Sequence, residues 1–425
     1  MKRLWITLPA LLLLLAVTLV FGVGWYFSNQ ILVARPYTFN PLFEIVAADE
    51  TTVTLPPPPE DVESAEARAN TLKTGRYGFL YDTGYGRLGD VSSGANGGNV
   101  VRGFEHLGGE LPAAGVGARL DNYYYYLDPQ QAHGLPFRDL TIFGFAGPLR
   151  AWWIDNSGDV AVLMLHGRTG NLEETLRPMP TLVELGYPVM SLAYRNHDES
   201  VRSPDGFYHY GATEYEDVLA GFSVLRQLGY DRVVLYGYSM GGAVALETLE
   251  ALRAEPTDTE VVGLILDSPM LDARAAIIQG ARRQNVPFPE TLGNFALWVA
   301  SLRADIDWDG LDQVVTAPQL DVPVLLIQGR ADIVTLVSAA DRFAERVTAP
   351  LRYEDPAGVR HAEAWNQNPE VYDSWLSEFL EAYVPLAEPQ DEPGLPQGSS
   401  PPHPHPPQPR NRQGHQQKRG LTSGG

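Results

Sequence analysis

Short, wholly apolar runs recur along the second half of the chain, each separated from the next by enough residues for a helix. Val160–Leu165, Pro188–Ala193, Val233–Tyr236, Val261–Leu266 and Val322–Gln328 all have this character. Between them Glu173–Leu185 reads as a helix, and Thr213 followed by Glu216 forms a capping box for a helix running to about Leu228. Strands that are apolar on both faces and alternate with helices predict a mainly parallel sheet with helices on both sides. This texture spans residues 139–384. Ligands of such a sheet bind beyond the carboxyl ends of its strands, so the chemistry is sought there.

Upstream, residues 31–138 are patterned differently. Phe43–Val46 and Thr51–Leu55 have strand character, Pro56–Pro59 ends the run, and glycine-rich stretches and the cluster Tyr123–Tyr126 follow. Short strands broken by turn residues predict a small β-rich region packed on the next domain. No catalytic constellation is found in it. A gating or partner-binding module is the alternative.

The two ends depart from both patterns. Residues 4–27 carry no charged side chain, which is long enough for a helix to cross a bilayer. Lys2 and Arg3 precede this run, the next basic residue is Arg35, and Trp25 and Tyr26 lie at its far end. A single-pass anchor over residues 1–30, with a cytoplasmic amino terminus and the rest of the chain outside, is expected. A cleaved signal segment and a buried core helix are the alternatives, although Gly22-Val23-Gly24 is a weak cleavage site. The anchor is expected to serve location and not chemistry, so that a chain starting near Ser28 keeps its activity. Residues 385–425 collapse into Pro, Gln, Gly, Ser and His, the composition of a disordered tail.

Composition removes several classes of function. The 425 residues carry a net charge of −21, against binding nucleic acid through a basic surface. The absence of cysteine excludes disulfides, thiolate metal sites and cysteine nucleophiles. No cofactor and no metal are expected.

The decisive pattern lies at the strand ends. Arg232–Tyr236 runs into Gly237-Tyr238-Ser239-Met240-Gly241-Gly242 and then a small-residue helix. The pentapeptide G-x-S-x-G is a weak signal alone, but the strand before it and the helix after it supply the context of a nucleophile elbow. A second loop, His166-Gly167-Arg168-Thr169-Gly170-Asn171, closes the strand ending at Leu165. The backbone N–H groups of Arg168 and Met240 are candidates for an oxyanion hole. The Arg168 side chain has no task in that scheme beyond facing solvent, and His166 reads as structural. Outside the tail only His361 follows Ser239, which makes it the candidate base. Asp332, three residues past the glycine that ends the Val322–Gln328 strand, is the candidate acid. Asp267 is its rival at the neighbouring strand end, and Asp355 and Glu363 are too close to His361 in sequence to orient it from a separate loop.

The loop His166–Gly170, the elbow Gly237–Gly241, the acid loop Gly329–Asp332 and the late His361 occur in the order Ser, Asp, His. Together they resemble the α/β-hydrolase superfamily, in particular serine esterases and the catalytic domain of prolyl oligopeptidases. Residues 31–138 show no propeller repeat, which departs from the oligopeptidases. The resemblance implies an α/β-hydrolase fold and a catalytic triad of Ser239, Asp332 and His361. It also implies a serine hydrolase acting on a small ester. A peptidase or amidase on short peptides, an acyltransferase and an inactive binding module remain as alternatives. Leu271–Gln319 is long enough for a helix pair.

Overall fold

A computed structural model of the chain describes residues 18, 21–35, 38–57, 71–94, 98–197 and 200–387. The tail expected from residue 385 lies outside the described residues from 388 onward.

Two sheets organise the chain. The first is built from β1 (Phe43–Glu44), β2 (Ala47–Ala48), β3 (Thr52–Leu55), β4 (Tyr77–Tyr81), β5 (Gly84–Ser93), β6 (Val100–Gly109) and β7 (Gly117–Asp121). Its order is β1-β7-β4-β5-β6-β3-β2, and every pairing in it is antiparallel. Val53, Leu55, Tyr77, Phe79, Val100 and Ala118 form its dry core.

The second sheet begins with the hairpin β8 (Arg138–Gly144) and β9 (Gly147–Ile154). It continues with β10 (Val160–Leu165), β11 (Val189–Ala193), β12 (Arg232–Tyr238), β13 (Glu260–Asp267), β14 (Val324–Ile327) and β15 (Leu351–Glu354). The order is β15-β14-β13-β12-β10-β11-β9-β8, parallel from β11 to β15. Side chains alternate across these strands. Leu163, Leu165, Leu235, Leu264 and Leu326 enter one core with the helices Tyr215–Gln227 and Met240–Ala254. Val162, Met164, Val234, Ile265 and Leu325 enter another with the helix Pro369–Tyr383. Burial on both faces explains why these strands are apolar throughout.

β10 lies between β11 and β12, so the chain leaves it to one side and later returns to the other. That is a topological switch point, where a crevice opens above the strand ends. The ends are level: Leu165 pairs with Gly237, Tyr238 with Asp267, and Asp267 with Ile327.

Three local expectations are corrected. The helix expected over Glu173–Leu185 is a 3-10 turn, Leu172–Leu176, followed by a short helix, Met179–Glu184. Pro178 and Pro180 lack the N–H groups needed for one continuous helix. The Thr213–Glu216 capping box does not form: the helix starts at Tyr215, and the Thr213 hydroxyl is buried without a partner. Glu216 is drawn instead to the buried guanidinium of Arg195, at 2.8 Å.

The third correction concerns the expected boundary near Ser28. Among the described residues no helix is long and apolar enough to cross a membrane. Of the expected anchor, residues 4–17, 19 and 20 lie outside the described residues. Residues 21–32 are helical, and they are packed on the α/β unit rather than held apart from it. Phe21 meets the rings of Phe295 and Trp298 on the helix Pro289–Ala304, and the Arg303 guanidinium lies 3.8 Å from the centre of the Trp25 ring. Arg303 donates to Ser28 Oγ at 2.6 Å, and Leu32 is fully buried. Ser28 is therefore inside an interface, and the chain cannot be cut there without exposing it.

Leu32→Ala is expected to destabilise the protein by about 2–5 kcal/mol in urea unfolding, the usual cost of deleting a buried leucine side chain. A freely hanging anchor would give no change.

Candidate active site

Ser239 sits where β12 turns into the helix Met240–Ala254, with φ 49° and ψ −115°. This conformation is unfavourable for a residue with a side chain, at a cost of roughly 1–3 kcal/mol. It persists because the surroundings fix it. The Ser239 N–H donates to the Asp267 carbonyl at 3.0 Å, and the Ser239 carbonyl accepts from the amides of Gly242 at 3.0 Å and Met270 at 2.9 Å. The flanking glycines are required by space. A Cβ on Gly237 would lie 2.4 Å from the Gly241 carbonyl oxygen, and one on Gly241 would lie 2.4 Å from that of Leu165.

The loop after β10 passes beside the elbow, where a Cβ on Gly167 would be 3.2 Å from Ser239 Cβ. Most of its amides are occupied. Gly167 donates to Glu174 Oε2 at 2.6 Å, Thr169 to His197 Nε2 at 3.2 Å, Gly170 to the Gly167 carbonyl at 3.0 Å, and Asn171 to the Tyr123 hydroxyl at 3.3 Å. Among the described residues, no hydrogen bond engages the amides of Arg168 and Met240. His166 is fully buried, stacked on Tyr194 at 4.5 Å, and burial pushes its imidazole down to about 4. It is a neutral structural ring, like His197 beside it.

His361 Nδ1 lies 2.8 Å from Asp332 Oδ2. Asp332 also accepts from the amides of Val334 and Thr335 (2.7 and 3.1 Å), from Thr335 Oγ1 at 2.7 Å and from Gln328 Nε2 at 2.9 Å. Burial alone would raise its carboxyl, but His361 and these donors outweigh burial and hold it below the usual carboxylate range. Burial alone would lower His361, and Asp332 reverses that, so the imidazole titrates above its ordinary value. With the Nδ1 proton directed at Asp332, Nε2 is left as the basic nitrogen.

The rival acid is occupied elsewhere. Asp267 accepts from Ser268 Oγ at 3.0 Å and from the Tyr372 hydroxyl at 2.9 Å. Asp355 pairs with Arg330, and Glu363 pairs with Lys73 at 2.6 Å and the Tyr77 hydroxyl at 3.0 Å.

Several positioning groups escaped the sequence reading. Arg177, almost fully buried, donates to the Ala362 carbonyl at 2.7 Å and to Asn366 Oδ1 at 2.8 Å. Ser268 Oγ accepts from the Ala362 amide at 2.9 Å. The residue after His361, at φ 52°, is thus held on both sides of its peptide unit. Asn122 donates to the His361 carbonyl at 3.3 Å, so the segment after β7 also reaches the site. The Arg168 side chain, expected to face solvent, bonds inward to the carbonyls of Gln30 and Ile31 (3.3 and 3.1 Å). Only the i,i+3 spacing of Glu174 and Arg177 gave a local signal for any of these.

Residues 160–310 match the family model of the alpha/beta hydrolase fold. The match shows the α/β-hydrolase fold for this part of the chain. It is 25% identical over 224 residues to an uncharacterized Bacillus subtilis protein, YqkD, which spans 52% of this chain and 70% of that protein. A carboxylesterase of the same organism is 33% identical over 91 residues, 21% of this chain and 36% of the relative. Among solved structures, the esterase Pf2001 of Pyrococcus furiosus has a TM-score of 0.49 at 24% identity, covering 61% of this chain and 95% of that one. The esterase Est1E of Butyrivibrio proteoclasticus, solved with ferulic acid bound, has a TM-score of 0.45 at 18% identity, covering 58% and 99%.

With His361 as the base, activity should rise with pH through the imidazole titration, which lies above the ordinary ~6.5. Asp332→Asn should lower turnover by about 10⁴-fold and move the remaining pH midpoint downward, because the charge favouring imidazolium is gone. Asp267→Asn removes a charge that contributes less to holding His361 up, and it should move that midpoint downward by less and act mainly on thermal stability. pH–rate profiles of the three proteins check both statements.

Proposed function

We propose that the protein is a serine hydrolase of carboxylic esters, with catalysis carried by residues 139–384 and residues 31–138 as an accessory region. The observation that supports this best is the 2.8 Å contact between His361 and Asp332, set at the level strand ends that also carry the strained Ser239 elbow. In this reading Ser239 Oγ attacks the acyl carbon while its proton passes to His361 Nε2. Asp332 stabilises the imidazolium. The negative oxygen of the tetrahedral intermediate is held by the amides of Arg168 and Met240. His361 then delivers the proton to the leaving alcohol, and the same groups run the sequence in reverse with water to release the acid. The short match to a carboxylesterase favours esters over peptides as substrates.

For location we propose that the apolar run 4–27 anchors the chain in a membrane through its residues before Phe21, the rest of the run lying against the catalytic unit, with Lys2 and Arg3 on the cytoplasmic side and the catalytic unit outside. Protease added to sealed, right-side-out vesicles should then digest the catalytic unit, and full protection would reverse the orientation.

Labelling of the full chain by a fluorophosphonate, followed by a panel of p-nitrophenyl esters and peptide anilides, tests the chemistry. Ser239→Ala should abolish labelling and lower ester turnover on the order of 10⁶-fold. Labelling of that variant at the wild-type rate would remove Ser239 from the mechanism, and faster turnover of anilides than of esters would make the enzyme an amidase.

A further inference from the structure

The last turn of a helix leaves its final carbonyl groups without partners inside the helix. At the end of the helix over residues 21–32 every one of them is answered. The Asn29 carbonyl accepts from the Val33 amide at 3.2 Å, and the Leu32 carbonyl accepts from the Tyr208 amide at 2.8 Å. The Gln30 carbonyl accepts from Arg168 Nη2 at 3.3 Å. The Ile31 carbonyl accepts twice, from Arg168 Nη2 at 3.1 Å and from the Tyr210 hydroxyl at 2.6 Å. A cation at a helix carboxyl end is also favoured by the helix dipole. The guanidinium is fixed from its other side by the rings of Tyr208 and Tyr210, whose centres lie 5.0 and 5.6 Å away.

Arg168 therefore has two ends with different work. Its amide is the one in the loop 167–171 that nothing engages, and a donor reserved for an oxyanion has to stay free. The residues around it are tied by their amides: Gly167 to Glu174, Thr169 to His197, Gly170 to Gly167, Asn171 to Tyr123. Residue 168 cannot be tied that way without losing its function. Its carbonyl accepts from the hydroxyl of the neighbouring Thr169 at 2.6 Å, and its side chain is the means that ties it to a separate element, the amino-terminal helix.

We propose that Arg168 is a positioning residue whose side chain, anchored on the carboxyl end of the helix over residues 21–32, aims its own backbone N–H at the reacting oxygen. The inference rests on the esterase reading above. It makes the amino-terminal segment part of the catalytic scaffold. A donor displaced by about 1 Å can cost on the order of 10²-fold in rate, and loss of an oxyanion donor costs about 10²–10³-fold.

The experiment compares full-length wild type, Arg168→Met, Arg168→Lys, Tyr210→Phe and Ser239→Ala in detergent. Active sites are titrated with a fluorophosphonate so that each kcat is expressed per competent serine. Arg168→Met should lose roughly 10- to 100-fold in kcat, within the range set by a mis-aimed donor, with KM little changed. Its affinity for a trifluoromethyl ketone, which forms a tetrahedral oxyanion adduct, should fall in parallel with kcat. Arg168→Lys keeps the charge and one donor and should recover part of the loss. Tyr210→Phe should shift kcat in the same direction by a smaller factor. A purely structural side chain would lower the melting temperature and the number of titratable sites, with kcat per site unchanged. That result in Arg168→Met overturns the proposal, and if Arg168→Met does not fold, the same result in Arg168→Lys and Tyr210→Phe overturns it. Wild-type labelling of Ser239→Ala would instead overturn the esterase reading itself.

Discussion

A guanidinium buried away from water holds the two halves of the candidate site together. Arg177 is 2% exposed, and removing such a charge from solvent costs several kcal/mol unless bonds and a counter-charge compensate. Its compensation comes from the Ala362 carbonyl and Asn366 on one side and from the Glu174 carboxylate, 3.7 Å away, on the other. Glu174 in turn accepts from the Gly167 amide. The loop that carries His361 and the loop that carries the Arg168 amide therefore satisfy the same buried charge. Moving either loop strands a charge in a medium that cannot solvate it. Asp267 and Tyr372 extend the polar layer under Ser239, whose amide is bonded to the Asp267 carbonyl. Asp267, which competed with Asp332 for the role of acid on position alone, belongs to this layer.

Much of the α/β unit was legible because its signals are local or periodic. Five apolar runs marked parallel strands, and the glycines around Ser239 marked a turn in which carbonyl oxygens approach too closely for a Cβ. Asp332 could be singled out because it follows the Val322–Gln328 strand, and His361 because it is the histidine after Ser239 outside the tail. What stayed hidden depends on contacts across long stretches of chain. Nothing near Arg177 in sequence indicates that its guanidinium meets residues 362 and 366. The Tyr123–Tyr126 cluster gave an aromatic signal, but not that Tyr123 would accept from the loop beside Ser239.

Two local signals meet tertiary partners that composition does not record. The capping box at Thr213 satisfied a local rule, and the buried Arg195 offered Glu216 a stronger partner. The apolar run over residues 4–27 satisfied the rule for a membrane span, yet its last third, from Phe21 on, presents a face that fits the helix Pro289–Ala304. Gly24 marks the closest approach, since a Cβ there would lie 2.5 Å from Phe295. Composition records that such residues avoid water and does not record whether lipid or protein receives them.

The order in which the chain is made adds a constraint on how this packing arises. Residues 21–32 are synthesised before the residues they pack on: Ser28 is bonded to Arg303, 275 positions later, and Ile31 to Tyr210, 179 positions later. Contacts so distant in sequence close slowly, because the intervening loop must first give up its entropy. This helix is thus made well before its native partners and is among the last elements to reach them. Until residues 289–304 are made, its aromatic face, Phe21 and Trp25 included, has no protein surface to cover it, and the growing chain carries an adhesive segment.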